Sequence, residues 1–152
     1  VGTASAYIKS DKKSEVKLVI GIIVMTHGSF SEEIIKSCEL IAGPAERTAA
    51  IKLNRNDNIE DLNKNFVEKL NELDEGDGVL VLADLLGGSP SNVASLNLKK
   101  GGKFHALTGV NLPMLLEALI NREGKSLEEL AEACIEAGQT GINNINKVLS
   151  SM

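Results

Sequence analysis

Leu18–Phe30 reads L-V-I-G-I-I-V-M-T-H-G-S-F. Its apolar run is far shorter than the ~20 residues that cross a bilayer, and it ends in a polar turn, so it predicts a buried strand. That strand delivers His27 to an edge of a sheet. A second stretch has the same form. Val79-Leu80-Val81-Leu82-Ala83 is continuously apolar and runs straight into Asp84-Leu85-Leu86-Gly87-Gly88-Ser89-Pro90.

Helical patterns lie between and beyond these strands. Ser29 followed by Glu32 has the spacing of a capping box and opens a helix that buries Ile34, Ile35, Cys38 and Ile41, with Gly43-Pro44 as its stop. Ala49–Leu53 reads as another strand. Asp57 and Glu60 then suggest a cap for a helix whose apolar face is Ile59, Leu62, Phe66, Leu70 and Leu73. Asp74–Gly78 is a turn cluster. After the second apolar strand, Ser89 is placed to cap a helix over Pro90–Lys100, since proline is favoured in the first turn. Lys103–Thr108 is a fourth strand, and the turn Thr108–Asn111 leads to a helix ending near Asn121. Ser126 and Glu129 form another capping box, for a helix burying Leu127, Leu130, Ala131 and Cys134 and fading at Gly138. In Gln139–Leu149, Ile142, Ile145, Val148 and Leu149 fit a helix better than a strand, but nearby glycines and asparagines leave the tail open on pattern alone.

Strands alternating with helices imply an α/β fold: a mostly parallel sheet with helices on both faces, its crossovers right-handed. Such sheets bind ligands beyond the carboxyl ends of their strands. Three polar turns fall at that edge: Thr26-His27-Gly28, Asp84–Ser89 and Thr108–Asn111.

At 152 residues and 43% hydrophobic content, the chain suits one domain with one well-covered core. A net charge of −5, without clustered Lys and Arg, argues against a nucleic-acid partner. Cys38 and Cys134 lie far apart in apolar helical patterns with no metal-ligand spacing, so they read as buried reduced thiols in a reducing cytoplasm. Lys12, Lys13 and Lys17 precede an apolar run, yet Thr26–Glu33 contains no small-residue cleavage site, so no secretory leader is expected. Val1–Glu15 reads as a polar extension, expression-derived or left by processing, and residues 16–152 as the single domain.

The chemistry follows from the turns. There is no P-loop motif, and Gly76-x-Gly78 precedes a strand instead of following one, so neither nucleotide fingerprint is present. No G-x-S-x-G elbow suggests acyl hydrolysis. What remains is a histidine and an aspartate brought to one edge. An aspartate accepting Nδ1–H from a neutral imidazole leaves Nε2 as a nucleophile, an arrangement suited to phosphoryl transfer. Backbone N–H groups, the Ser89 hydroxyl and helix N-termini there would favour an anion. On the residues alone, His27 is equally well explained as a hydrogen-bonded turn residue, Asp84 as a turn former and Ser89 as a cap. His105, alternating within the fourth strand, reads as structural.

M-T-H-G-S-F at Met25–Phe30, D-L-L-G-G-S-P-S-N at Asp84–Asn92 and T-G-V-N-L-P-M-L at Thr108–Leu115 together resemble the mannose-family IIA component of the bacterial phosphoenolpyruvate:sugar phosphotransferase system. The likeness covers about Val16–Leu149. It implies that His27 is the phosphoacceptor, taking a phosphoryl group from the phosphocarrier HPr and passing it to a IIB component during sugar uptake. It further implies that Asp84 orients His27, that Ser89 and the Gly87 and Gly88 amides contact phosphate, and that Thr26 and Gly28 shape the turn. No cofactor or metal is implied. The family resemblance also implies a cytoplasmic homodimer that exchanges a C-terminal antiparallel strand, which would make Gln139–Leu149 partly strand, and contact with the membrane only through the IIC/IID transporter. With no IIB-like sequence after Met152, this IIA is expected to act as a separate polypeptide. Leu86 stands where members often carry an aromatic, a departure expected to alter IIB docking and not chemistry. Phe30, Leu85 and Leu86 are candidates for that docking surface or, equally, for packing over helix starts. The resemblance leaves two alternatives, a related carrier serving dihydroxyacetone phosphorylation and a non-enzymatic regulatory module. The transported sugar is not encoded in these motifs.

Overall fold

The computed structural model describes residues 19–152. The Val1–Glu15 extension, the three early lysines and Leu18 lie outside the described residues. Four strands, β1 (Gly21–His27), β2 (Thr48–Leu53), β3 (Val79–Ala83) and β4 (His105–Leu107), form one sheet in the order β2-β1-β3-β4. Every pairing is parallel. Six helices accompany them: α1 (Phe30–Ala42), α2 (Ile59–Leu73), α3 (Ser89–Lys99), α4 (Leu112–Asn121), α5 (Leu127–Thr140) and α6 (Ile145–Ser150).

The period of two along each strand sorts side chains onto two faces. Ile20, Ile22, Val24, Leu80 and Leu82 turn toward α1, α4 and α5, where they meet Ile34, Cys38, Leu115, Ala118, Leu130 and Cys134. Ile23, Met25, Ile51, Val79 and Val81 turn the other way, onto Leu62, Phe66, Val93 and Phe104. Both faces being covered explains why β1 and β3 read as unbroken apolar runs. Both cysteines are free and buried, Cys38 and Cys134 lying in the first of these clusters. Burial pushes the Cys38 thiol up to about 11. Gly21 lets α2 approach the sheet: a Cβ there would lie 2.8 Å from the Leu73 Cβ.

Several boundaries differ from the sequence reading. Ile41 is 62% exposed, not buried, because the whole last turn of α1 from Glu39 to Ala42 is solvent-facing. The cap of α2 is Asn58, whose side chain accepts the Asp61 N–H at 2.7 Å; Asp57 instead accepts the Asn54 N–H at 2.7 Å. β4 is three residues long, not six, since the chain folds tightly over the end of α3 before it pairs. There the Gly102 N–H donates to Asn97 O, and Phe104 stands edge-on to Phe66 with ring centroids 5.4 Å apart. Residues Ile145–Ser150 are helical, as the apolar spacing suggested, and no strand follows β4 among the described residues.

One tie was invisible in the sequence. The buried Arg122, just beyond α4, donates from Nη1 to Ile20 O at 3.0 Å and from Nη2 to Glu46 O at 2.7 Å. It pins the end of α4 to the segments entering β1 and β2.

Candidate active site

Met25 of β1 is in register with Ala83 of β3, so His27 and Asp84 emerge side by side from the carboxyl edge of the sheet. One carboxylate oxygen then holds two groups. Asp84 Oδ2 accepts the His27 backbone N–H at 2.9 Å and lies 2.8 Å from ring Nδ1. An ionised carboxylate can only accept, so the contact assigns the proton to Nδ1 and leaves the lone pair on Nε2. Burial pushes the Asp84 carboxyl up, but the His27 backbone N–H, the His27 ring and the Leu85 N–H together outweigh it, and the net shift is downward. Asp84 is therefore ionised at neutral pH. Its side chain is 16% exposed and that of His27 49%, so the carboxylate is sheltered and the imidazole open.

The turn after β4 supports Asp84 from below. The Gly109 N–H donates to Asp84 O and the Val110 N–H to Ala83 O, both at 3.1 Å. The three polar turns do converge, with Thr108–Asn111 bracing main chain and not touching the imidazole.

Thr26 is fully buried, and its Oγ1 accepts the Ser31 N–H at 2.8 Å. It thereby takes the capping role expected of Ser29, whose hydroxyl makes no cap bond and whose backbone (φ −84°, ψ 8°) is not extended as an N-cap requires. Glu32 pairs with Lys52 at 3.1 Å instead of closing a box. Gly28 has φ +57° and donates its N–H to Leu53 O at 2.8 Å, tying the histidine turn to the end of β2.

The loop after Asp84 departs from expectation in its donors. The N-cap of α3 is Gly88 in extended conformation, not Ser89. Ser89 has no side-chain hydrogen bond among the described residues and lines a groove beside His27. The Gly87 N–H donates to Ser91 Oγ at 3.0 Å and the Gly88 N–H to Leu85 O at 3.2 Å, so both amides expected to face phosphate are already satisfied. Ser91 is the organiser that sequence reasoning missed: its hydroxyl also donates to Gly88 O at 3.0 Å. A serine in the first turn of a helix behind paired glycines was the available signal. Gly88 matters for space and not conformation, since a Cβ there would stand 2.7 Å from His27 Cε1.

The groove, about 530 Å³, is lined by His27, Leu53, Arg55, Asp57, Ile59 and Ser89, among others. Arg55 was not anticipated, because the β2–α2 loop carried no motif. Phe30, Leu85 and Leu86 are exposed near the same edge, at 44%, 62% and 78%. His105 is half-buried in β4 at the register of Leu80, toward the opposite end of the sheet. Among the described residues, no group of His, Cys, Asp and Glu could hold a metal, and no helix is long and apolar enough to cross a membrane.

A profile of the family described as "PTS system fructose IIA component" (EIIA-man) matches residues 21–135. The mannose-specific EIIAB component of Escherichia coli K12 is 35% identical over 126 residues, covering 82% of this chain and 39% of that protein. The chain thus spans well under half the length of that relative. The fructose-specific EIIA component of Bacillus subtilis is 31% identical over 112 residues, covering 74% of this chain and 77% of that one. The crystal structure of the EIIA component from Streptococcus agalactiae matches with a TM-score of 0.77 at 32% identity, covering 85% of this chain and 99% of that chain. With the family profile running from the first residue of β1 into α5, and a solved EIIA matching over nearly its whole length, the chain belongs to the mannose family of phosphotransferase-system IIA components.

Proposed function

We propose that the chain is a phosphoryl carrier in which His27 Nε2 accepts a phosphoryl group from phospho-HPr and passes it to a IIB component. The observation that carries this reading is the double contact of Asp84 Oδ2, on the backbone N–H and ring Nδ1 of His27. It presets both the tautomer and the aim of the imidazole. In the forward step the Nε2 lone pair forms a bond to phosphorus while the N–P bond of the donor breaks, its electron pair returning to the donor imidazole. His27 becomes a phosphoimidazolium still bearing Nδ1–H. Asp84 stabilises the positive charge that develops on the ring, and no proton needs to move.

Thr26 and Gly28 set the turn, Gly87 and Gly88 shape the wall against the ring, and Ser89 contributes a hydroxyl to the phosphoryl group. The N-termini of α1 and α3 flank the site and favour an anion there. Exposed Leu85, Leu86 and Phe30 suit a transient protein partner. Residues 16–152 act as the IIA unit, in the cytoplasm, meeting the membrane only through the transporter. The unit works as a homodimer: β4 is an edge strand, and the exposed Ile142, Ile145 and Leu149 of the tail, converted to a strand, would add to such an edge in a partner.

Incubation with phosphoenolpyruvate, enzyme I and HPr tests the carrier reading. One acid-labile phosphoryl group per chain is expected on the unaltered protein and none on His27→Ala. A label that survives on His27→Ala overturns it.

A further inference from the structure

We propose that Arg55 is a catalytic residue of this transfer, its guanidinium engaging the phosphoryl oxygens as the bond at His27 Nε2 forms; the proposal rests on the carrier reading above. Three observations place it there. First, Arg55 lines the same groove as His27 and Ser89, and among the described residues it is the only cation on that wall. Second, the backbone fixes its proximity. His27 is in register with Leu53, the Gly28 N–H is bonded to Leu53 O, and Arg55 follows two residues later. The loop holding it is braced by Asn54 N–H to Asp57 Oδ2 at 2.7 Å and Asp57 N–H to Asn54 O at 3.1 Å.

Third, Arg55 is uncommitted. It makes no ion pair or side-chain hydrogen bond among the described residues, whereas Lys52 pairs with Glu32, Lys36 with Glu33 and Arg47 with Glu75. The need for a cation is plain. A phosphoryl dianion must approach a chain of net charge −5 whose first α1 turn carries Glu32 and Glu33. Asp57, the anion on the groove wall, is engaged by the Asn54 backbone N–H and makes no ion pair with Arg55, so the guanidinium is available as counter-charge. A planar guanidinium matches two phosphoryl oxygens at once.

The test separates contact with phosphoryl from contact with a protein. Arg55→Gln is compared with the unaltered chain using two donors, phospho-HPr and the small molecule phosphoramidate. In the latter reaction Nε2 attacks phosphorus, the N–P bond breaks and ammonia leaves with its electron pair. We expect Arg55→Gln to slow labelling about tenfold with both donors, while final stoichiometry and thermal unfolding are unchanged. Loss confined to phospho-HPr makes Arg55 a docking residue and overturns the proposal, as does an unchanged rate with both. Failure of the unaltered chain to be labelled by phospho-HPr, or label retained on His27→Ala, instead overturns the carrier reading itself.

Discussion

At the scale of single residues, the arrangement predicts which substitutions damage chemistry without damaging the fold. Gly88 has φ −75°, which any residue adopts, yet a Cβ would press on the imidazole at 2.7 Å. Gly88→Ala should therefore leave the melting temperature within a few degrees of the parent and lower the rate of His27 phosphorylation by about 10²-fold, the cost of a small misplacement of a reacting group. Asp84 carries a pH signature. Its carboxyl is held below the ordinary 3.8, so its contribution to stability is fully present above that value and is lost as pH falls through the lower folded value. Thermal melts from pH 6 to pH 2 should show the gap between the parent and Asp84→Asn closing only in the most acid part of the range. A gap that closed near neutrality would contradict a hydrogen-bonded carboxylate held below its ordinary value. The juxtaposition of His27 and Asp84 was legible from two buried strands ending in polar turns, because a parallel sheet brings strand ends to one edge. Arg55 was not legible: it sits in a loop with no motif, and only the register of β1 with β2 brings it to the histidine.

At the scale of elements, two identical sequence signals had different outcomes. Ser126 and Glu129 make a complete capping box, with Ser126 extended at φ −69° and ψ 160° and both reciprocal bonds near 3 Å. Ser29 and Glu32 make none, because the left-handed Gly28 turn delivers Ser29 in a conformation that cannot cap, and Thr26 from the preceding strand supplies the acceptor. Spacing along the chain reports which bonds a helix start can form; the turn before it decides which it does form. The two caps predict separable effects. Ser126→Ala should cost about 1 kcal/mol in urea unfolding and leave labelling intact. Thr26→Val orphans a buried N–H close to His27, so it should cost about 1–2 kcal/mol and, in the proposed carrier, also slow phosphorylation. Similarly, Ser89 was read as a cap from its place before proline, whereas the extended Gly88 fills that role and Ser89 lines the groove without a cap bond.

For the molecule as a whole, the sheet topology followed from the alternation of patterns, but its fastening did not. Arg122 joins the end of α4 to Ile20 and Glu46 across 102 and 76 positions of chain. No periodicity marks it, since a lone arginine after a helix ordinarily faces water. Burial pushes the Arg122 guanidinium down, with the Arg47 charge adding to that, yet it remains the donor to Ile20 O and to Glu46 O, the latter shared with the Thr48 hydroxyl. Arg122→Met should lower unfolding free energy by about 2–3 kcal/mol with no change in labelling rate at temperatures where the variant is folded. The tail is the other feature of this scale. Its helical spacing was readable, while any strand it forms depends on a second chain, and one sequence encodes no partner edge. If the dimer proposal holds, sedimentation should find a dimer that becomes a monomer when the chain is cut after Gly138.

The loop from Gly87 to Ser91 has a consequence for reversibility. Its two glycine amides bond to Ser91 Oγ and Leu85 O and not to open solvent. A glycine loop with free amides grips phosphate and would turn the site into a sink. In the proposed carrier, a loop whose donors close on themselves would leave the phosphoryl group lightly held on a half-exposed ring, and a relay that hands its cargo onward needs that shallow well.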